Sequence, residues 1–296
     1  MIYAGVELGG TKCVAVLARS AEDILAREVI PTTSPDETLG SIERRLVSWK
    51  AEFGLGALGI GSFGPIDVDP KSATYGHMLA TPKPGWAGAA VLSRLASGLE
   101  VPTEFDTDVN GAALAEMRWG AGRGFDDFAY VTVGTGVGVG LVVNGHPTRG
   151  FGHCELGHIR VARLSGDTWP GSCPFHGDCV EGLASGSALN ALFGEDVSSL
   201  ESDHPIWGTV AWTLAQLCQA IVSAAAPRRI AIGGGVIDRQ PHLLRQIQSK
   251  LIESLNGYIQ LPSDGDYVRA PELGSDAGPL GAIALAMNAT TDGVAR

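Results

Sequence analysis

The sequence predicts an α/β protein made of two similar domains. Residues 2–18 have the pattern of a strand, a tight glycine turn and a second strand, and residues 129–143 repeat that plan about half a chain later. Short apolar runs elsewhere alternate with amphipathic segments, as expected for strands followed by helices. The chain of 296 residues is long enough to form two packed domains.

The first half of the chain adds strands and a helix to this plan. Three further strands are predicted, at residues 24–30, 57–62 and 101–106. Ser34 is the predicted N-cap of a helix whose first position is Pro35. Its apolar residues recur at helical spacing and predict one buried face: Leu39, Ile42, Leu46 and Trp49.

The second half contains a buried helix and a strand that ends in glycines. Residues 208–225 are apolar nearly all round, which predicts a buried helix. A predicted strand at 229–232 continues into Gly233–Gly235, where a ligand can lie against bare backbone. Two more helices are predicted, at 243–256 with an apolar face of Leu244, Ile247, Leu251 and Leu255, and at 274–287.

Composition narrows the class of protein. The net charge of −11 does not favour binding to nucleic acid or to an anionic membrane surface. No apolar run of about 18 residues is present, and the first residues lack the pattern of a signal peptide, so we expect a cytoplasmic protein without a membrane span. Five cysteines are an odd number for a disulfide framework and favour reduced thiols and a metal site.

A cluster of metal-ligand residues lies between residues 153 and 181. Three potential zinc ligands occur within one short segment: Cys173, His176 and Cys179. His158 is close enough in sequence to supply a fourth. Two thiolates and two imidazoles form a closed tetrahedral zinc site, which is typical of a structural metal. Glu155 and Glu181 lie beside these ligands, so we expect a zinc loop that holds two acids.

The glycine turns are candidates for phosphate binding. The first contains Gly9 and Gly10, which allow positive φ and close ligand approach, followed by Thr11 and Lys12. The second contains Thr135 and Gly136. The first is not a Walker A loop, and either one alone would be read as an ordinary hairpin. Two turns of one type at corresponding positions favour phosphate binding.

Asp108 lies at a predicted strand-to-helix junction. Ligands of open α/β sheets bind at the carboxyl ends of strands, which makes this carboxylate a candidate functional group. An aspartate at such a junction is also a common helix N-cap. The residues alone leave both interpretations open.

These motifs together resemble the ROK family of sugar kinases, and within it the fructokinase-like branch, over essentially the whole chain. They are G-V-E-L-G-G-T-K at 5–12, G-I-G-S-F-G-P-I-D at 59–67, T-P-K-P-G-W at 81–86, D-T-D-V-N at 106–110, G-T-G-V-G at 134–138, G-H-C-E-L-G-H at 152–158, C-P-F-H-G-D-C-V-E-G-L-A-S-G at 173–186 and I-G-G-G-V at 232–236. Glu7 stands where the family has aspartate, and Thr107 stands where it has asparagine.

The resemblance implies an actin-like ATPase (ribonuclease H-like) fold, with two α/β domains around a central cleft. The implied domains are residues 1–109 with 285–296, and residues 110–284. It also implies a homodimer.

The resemblance further implies an ATP-dependent and Mg²⁺-dependent hexose kinase, with the 6-hydroxyl of D-fructose as the expected acceptor. Asp108 is the implied catalytic base. The implied sugar contacts are Gly64, Pro65, Thr107, Asp108, Glu155, His158 and Glu181. The implied nucleotide contacts are Gly9, Gly10, Thr11, Lys12, Thr135 and Gly136 at the phosphates and Gly234 and Gly235 beneath adenosine. The implied ligands of a structural zinc are His158, Cys173, His176 and Cys179.

Three alternatives differ from a fructokinase. The first is a kinase for glucose, mannose or an amino sugar. The second is a sugar-responsive ROK regulator, which is disfavoured because only four residues precede Gly5, too few for a helix-turn-helix. The third is a zinc hydrolase, which is disfavoured because a catalytic zinc keeps one ligand position open and four ligands are available here.

Overall fold

The computed structural model describes residues 1–194, 197, 200–263 and 265–291. The chain divides into two compact units. The first unit comprises Met1–Arg123, Pro147–His153 and the described residues from Ser275 onward; the second comprises Gly124–His146 and Cys154–Gly274. Each unit contains one five-stranded sheet.

The secondary structure alternates between strands and helices along the chain. The strands are β1 (Tyr3–Leu8), β2 (Lys12–Ala18), β3 (Ile24–Pro31), β4 (Ala57–Ser62), β5 (Thr103–Thr107), β6 (Phe128–Val133), β7 (Val137–Val143), β8 (His146–Pro147), β9 (Ile230–Gly233) and β10 (Val268–Arg269). The helices are α1 (Pro35–Phe53), α2 (Val91–Ala96), α3 (Asp108–Trp119), α4 (Val180–Ala184), α5 (Gly186–Phe193), α6 (Ile206–Ala225), α7 (Gly235–Arg239), α8 (Leu243–Leu255) and α9 (Ala277–Thr291). Within the described residues, no helix has both the length and the apolar character needed to cross a bilayer.

The first sheet has the strand order β3-β2-β1-β4-β5. β1, β4 and β5 run parallel, whereas β2 and β3 are antiparallel to their neighbours. The predicted helix after Ser34 is confirmed as α1. The Ser34 hydroxyl accepts a hydrogen bond from the N–H of Glu37 at 3.4 Å, and the four predicted apolar residues of the helix are buried.

The second sheet has the order β10-β9-β6-β7-β8, with β6 and β9 parallel. The predicted buried helix is confirmed as α6, which lies in the apolar core of the second unit. One detail of α8 differs from the prediction. Leu243 rather than Leu244 begins its buried face, because the residues facing the core recur at intervals of four from that position.

The units differ from the predicted domains at their boundaries. Helix α9 lies on the first sheet and packs against α3, so both helices belong entirely to the first unit. The prediction divided these helices at 109 and 285 because the sequence pattern does not show that contact. Residues 292–296 of the predicted first domain lie outside the described residues.

Close packing of α9 on the first unit depends on positions without a side chain. A Cβ at Gly59 in β4 would lie 1.9 Å from the Ala282 carbonyl oxygen, and a Cβ at Gly281 would lie 2.4 Å from the backbone of Gly111 in α3. Backbone cannot yield as a flexible side chain can, so these glycines set the distance between the helix and the sheet.

The substitution Gly59→Ala is expected to lower the free energy of unfolding by about 3 kcal/mol, because α9 must shift to admit the methyl group. Denaturant titration of the purified protein measures this change. Gly208→Ala in α6 is the control, since a Cβ there meets nothing within 4 Å, and we expect no loss of stability. Equal stability of the two variants would contradict the packing role of Gly59.

Candidate active site

The carboxyl ends of three parallel strands bring candidate residues of the first unit to one edge of its sheet. Leu8 at the end of β1 pairs in register with Ser62 at the end of β4, and Ser62 pairs with Thr107 at the end of β5. The first glycine turn, the loop containing Gly64, and Asp108 each follow one of these strand ends. The predicted phosphate turn and the predicted catalytic carboxylate therefore lie at the same edge.

The first glycine turn joins β1 to β2. The N–H of Gly9 donates to the carbonyl oxygen of Lys12 at 3.1 Å, and a Cβ on Gly9 would lie 2.6 Å from that oxygen. Neither glycine has a positive φ, although both would allow it; Gly9 is needed for close approach of the backbone. At Gly10 a Cβ meets nothing within 4 Å, so the turn is open there to a ligand.

The carbonyl groups of this turn are bonded within the protein. Thr32 donates to two of them, from its hydroxyl to Gly9 at 2.7 Å and from its N–H to Thr11 at 3.0 Å. Among the described residues, the N–H groups of Gly10 and Thr11 have no acceptor, and both residues are exposed. Backbone N–H groups left open in this way bind anions such as phosphate.

Asp108 begins helix α3 but is not its N-cap. Thr107 is the N-cap: its hydroxyl accepts from the N–H of Asn110 at 3.2 Å. Thr107 is only 4% exposed. The Asp108 carboxylate accepts from the N–H of Val109 at 2.9 Å and lies at the carboxyl edge of the sheet.

A buried ion pair supports the residues next to Asp108. Asp106 is fully buried and accepts a hydrogen bond from Arg149 at 2.6 Å. The same carboxylate accepts from the N–H of Thr107 at 2.7 Å and from the side-chain amide of Asn110 at 2.8 Å. Three donors satisfy this buried charge, which fixes the start of α3.

Glu7, in β1, is the second acid at this edge. Its carboxylate lies so close to α9 that a Cβ on Gly278 would be 2.0 Å from Oε1. Burial raises the pKa of Glu7 to about 7, and the negative charge of Asp108 adds to the rise, whereas Lys12 and Arg27 lower the pKa. Glu7 therefore holds a proton up to near-neutral pH unless a cation binds beside it.

This pKa predicts a pH dependence of stability that the substitution Glu7→Gln removes. Because the folded protein holds this proton more tightly than the unfolded chain, the stabilisation is complete below pH 4.5 and is lost as the pH rises to about 7. One pKa unit corresponds to about 1.4 kcal/mol, so the loss is at most about 3 kcal/mol. Denaturant titrations without Mg²⁺ from pH 4.5 to 8 measure it, and parallel profiles for the two proteins would contradict the prediction.

The loop after β4 contains Gly64 and Pro65, which are joined by a cis peptide bond. The N–H of Ile66 donates to Nε2 of His153 at 3.1 Å, and the carbonyl oxygen of Pro65 accepts from Leu79 at 2.8 Å. These contacts hold the two residues at the end of β4, beside the edge that carries Asp108.

The second glycine turn joins β6 to β7 in the second unit. The Gly134 carbonyl oxygen accepts from the N–H of Gly186 at the start of α5 at 2.7 Å. Glu181 accepts from the N–H of Val137 at 3.0 Å, and a Cβ on Gly136 would lie 2.5 Å from the same carboxylate oxygen. Glu181, predicted as a sugar contact, is therefore bonded directly to the second turn.

Gly234 and Gly235 follow β9 on the same edge of the second sheet as the second turn, since β9 runs parallel to β6 with Gly233 opposite Thr132. Gly234 has φ of 93°, and a Cβ there would lie 2.7 Å from the backbone of Val133. Gly235 begins α7 and has open space where its Cβ would be. A small cavity beside it is lined by Asn190, Trp207 and Arg239, among others.

The four predicted metal ligands meet at one point of the second unit. The ligand atoms of His158, Cys173, His176 and Cys179 all lie within 4.8 Å of one another. Nδ1 of His158 is 3.6 Å from each of the two thiol sulfurs, and Nδ1 of His176 is 3.7 Å from the Cys173 sulfur. A tetrahedral zinc ion with ordinary bond lengths holds sulfur and nitrogen ligands about 3.5 Å apart. The residues therefore fit zinc in chemistry and in spacing.

His158 faces the metal ligands with one ring nitrogen and Glu181 with the other. Its Nε2 is 3.8 Å from Oε1 of Glu181. Gly157 sets this position, because a Cβ on it would lie 1.9 Å from the Val137 carbonyl oxygen of β7. The arrangement connects the metal cluster to the second glycine turn through Glu181. Glu155 is exposed and immediately precedes the 3₁₀ turn Leu156–His158.

Sequence reasoning missed three residues that contact the candidate site: Lys83, Asp106 and Arg149. Each lies in or near a quoted motif, but its partner is distant in sequence. Lys83 donates to the Gly10 carbonyl oxygen across 73 residues, and Arg149 reaches Asp106 across 43. The one available signal was the presence of charged residues in otherwise apolar or turn-forming motifs.

Comparison with known proteins is decisive for the family. The model of the ROK family matches residues 3–289. The chain belongs to the ROK family. Among its relatives, the fructokinase of Zymomonas mobilis subsp. mobilis is 39% identical over 295 residues, covering 97% of both chains. The fructokinase of Pediococcus pentosaceus is 37% identical over 289 residues, covering 98% of this chain and 99% of that one.

Solved structures of ROK proteins agree with this assignment. The ROK hexokinase from Thermus thermophilus matches with a TM-score of 0.79 and 27% identity, covering 99% of this chain and 100% of that one. A ROK glucokinase from Streptomyces griseus, in complex with glucose and AMPPNP, matches with a TM-score of 0.75 and 26% identity, covering 97% of this chain and 100% of that one. The chain has the α/β actin-like ATPase fold of these ROK sugar kinases, which confirms the predicted fold class.

Proposed function

We propose that the protein is an ATP-dependent fructokinase that phosphorylates the 6-hydroxyl of D-fructose. The observation that carries the proposal is the common position of Asp108 and the open glycine turn at one sheet edge, in a chain that matches fructokinases over its whole length. A general base and a phosphate-binding turn are the two parts that phosphoryl transfer to an alcohol needs first.

Asp108 acts as the general base in this proposal. Its carboxylate accepts the proton of the sugar hydroxyl as that oxygen bonds to the γ-phosphorus of ATP. The bond from the γ-phosphorus to the β,γ-bridging oxygen breaks in the same step and ADP leaves. The start of α3 is held by the Thr107 cap and by the ion pair of Asp106 with Arg149, so the carboxylate is positioned before the sugar arrives. Such positioning reduces the reorganisation needed in the transition state.

The two glycine turns bind phosphate oxygens. In the first unit the N–H groups of Gly10 and Thr11, with the hydroxyl of Thr11 and the ammonium of Lys12, are the donors. In the second unit Thr135 and Gly136 have the corresponding role, and Gly234 and Gly235 lie beneath adenosine. Bound Mg²⁺ neutralises phosphate charge. Glu7 is the acid best placed to attract that cation, because cation binding would offset the cost of ionising its buried carboxyl.

The sugar contacts in this proposal are Gly64, Pro65, Glu155, His158 and Glu181. A carboxylate that accepts from a sugar hydroxyl discriminates strongly against an analogue without that hydroxyl, since the buried charge is then unpaired. Thr107 is a further proposed contact, since a hydroxyl that accepts the hydrogen bond of the α3 cap can still donate its own proton.

Zinc has a structural role in this proposal. Four protein ligands leave no open position for a reactant, and the loop that zinc holds carries His158 and leads to Glu181. The five cysteines are all free thiols, which suits a reducing compartment, and we place the reaction in the cytoplasm. We also propose a homodimer, from the family resemblance alone.

The test is an ADP-release assay across fructose, glucose, mannose and N-acetylmannosamine, with and without Mg²⁺. We expect Mg²⁺-dependent turnover with the highest kcat/KM for fructose. A higher kcat/KM for another hexose would replace fructose as the substrate. Absence of turnover on every sugar, in a protein that still binds nucleotide, would overturn the kinase proposal.

A further inference from the structure

Lys83 reaches the first glycine turn from a distant loop. Its Nζ donates to the carbonyl oxygen of Gly10 at 2.6 Å. In the part of the chain that the structure describes, no carboxylate forms an ion pair with Lys83. The ammonium group therefore has donors remaining for a further acceptor.

The loop that carries Lys83 is anchored in the core of the first unit. Trp86 is fully buried, and its indole N–H donates to the Thr33 carbonyl oxygen at 2.9 Å. The N–H of Trp86 also donates to the Lys83 carbonyl oxygen at 3.3 Å, which closes a tight turn. Lys83 is thus held by its backbone beside the glycine turn rather than extended freely into solvent.

The contact with Gly10 completes the internal bonding of the glycine turn. Thr32 donates hydrogen bonds to the carbonyl oxygens of Gly9 and Thr11. The N–H of Gly9 donates to the carbonyl oxygen of Lys12. Lys83 donates to the remaining carbonyl oxygen of the turn, that of Gly10, where the backbone is open to a ligand. With every carbonyl oxygen engaged, the N–H groups of Gly10 and Thr11 stay available to an anion.

Two cations therefore flank the open N–H groups. Lys12 follows the turn directly, and Lys83 lies against it. The chain as a whole has a net charge of −11, so a polyanion needs local positive charge to bind here. The two cations and the open N–H groups match a chain of phosphates better than they match a neutral ligand or a ligand with a single carboxylate.

We propose that Lys83 is a positioning residue for the terminal phosphates of the nucleotide. It holds the Gly10 peptide in its phosphate-binding orientation and adds a second cation beside Lys12. This inference rests on the proposed function for the identity of the nucleotide, but the phosphate chain is recognised whether or not a sugar is phosphorylated.

The experiment measures binding of inorganic tripolyphosphate, MgADP and adenosine by titration calorimetry. The variants are Lys83→Met, Lys83→Arg and the control Lys71→Met, which removes an exposed lysine of the same unit. We expect Lys83→Met to weaken binding of tripolyphosphate and MgADP about tenfold or more, the effect of losing a charge-assisted hydrogen bond. Adenosine binding stays unchanged, and Lys83→Arg recovers part of the loss because it keeps the charge.

The binding of tripolyphosphate, MgADP and adenosine by these variants decides whether Lys83 positions the phosphates. If Lys83→Met binds tripolyphosphate as well as Lys71→Met does, or loses adenosine binding to the same degree, the inference is overturned. Failure of the wild-type protein to bind tripolyphosphate and MgADP also overturns it. If Lys83→Met does not fold, Lys83→Gln takes its place, since it also removes the charge. Binding of tripolyphosphate equal to that of Lys71→Met would then contradict the role. Normal phosphate selectivity without turnover on any hexose would overturn the proposed function and leave this inference standing.

Discussion

Replacing Asp108 with asparagine is expected to lower kcat for hexose phosphorylation by roughly 10²–10⁴-fold. The amide has nearly the shape of the carboxylate but cannot accept the proton of the attacking hydroxyl. The helix start stays in place, because Thr107 is the cap of α3 and Asp106 bonds Arg149. The loss should therefore appear in kcat, with sugar and nucleotide affinities retained. Steady-state kinetics together with calorimetric titration of both substrates separate these effects.

The matched control for this variant is Asp126→Asn. Asp126 is exposed and lies in the second unit, so the substitution makes the same change of charge away from the strand ends of the first sheet. We expect its kcat to equal that of the wild type. Loss of a general base lowers kcat by far more than about threefold. A kcat for Asp108→Asn within about threefold of that of the control would therefore show that Asp108 is not the base.

The substitution Cys179→Ser is expected to abolish zinc binding and to cause a large loss of stability. Cys179 is fully buried and accepts from the N–H of Gly182 at 3.4 Å as the N-cap of α4. Serine preserves that cap, so the variant isolates the loss of a metal ligand from the loss of the cap. Loss of a structural metal is among the largest single-site effects, on the order of 4 kcal/mol, which lowers Tm by roughly 10 °C.

Metal analysis of the purified protein and a thermal unfolding scan measure these two effects. Cys154→Ser is the control, because Cys154 lies in the same stretch but outside the four-residue cluster. We expect about one zinc per chain in the wild type and in the control, as one closed tetrahedral site requires, and almost none in Cys179→Ser. A Cys179→Ser protein with full zinc content would show that the cluster does not bind the metal.

Local patterns in the chain were enough to predict most of the elements. Alternating apolar runs around glycine turns predicted β1–β2 and β6–β7, and the capping residue Ser34 with its apolar spacing predicted α1. These elements are stabilised by interactions among residues close in sequence, so their pattern is visible without the fold. The four candidate metal ligands are a further example, since three of them occur within seven residues.

Other features depend on contacts between residues far apart in the chain. Whether Thr107 or Asp108 caps α3 depends on the exact start of the helix, which a pattern locates only to within a few residues. The pKa of Glu7 depends on burial against Gly278 and on the charge of Asp108. Neither neighbour can be assigned to Glu7 by spacing along the sequence.

The amino-acid sequence alone thus predicted the two strand–turn–strand units and the set of candidate metal ligands, and its resemblance to the ROK family implied Asp108 as the candidate base. Packing in three dimensions established that Glu181 bonds the second glycine turn, that Arg149 supports Asp106, and that Lys83 holds Gly10. The physical reason is the range of the interactions. Periodicity and capping act over a few residues, whereas ion pairs and burial depend on which distant segments the fold brings together.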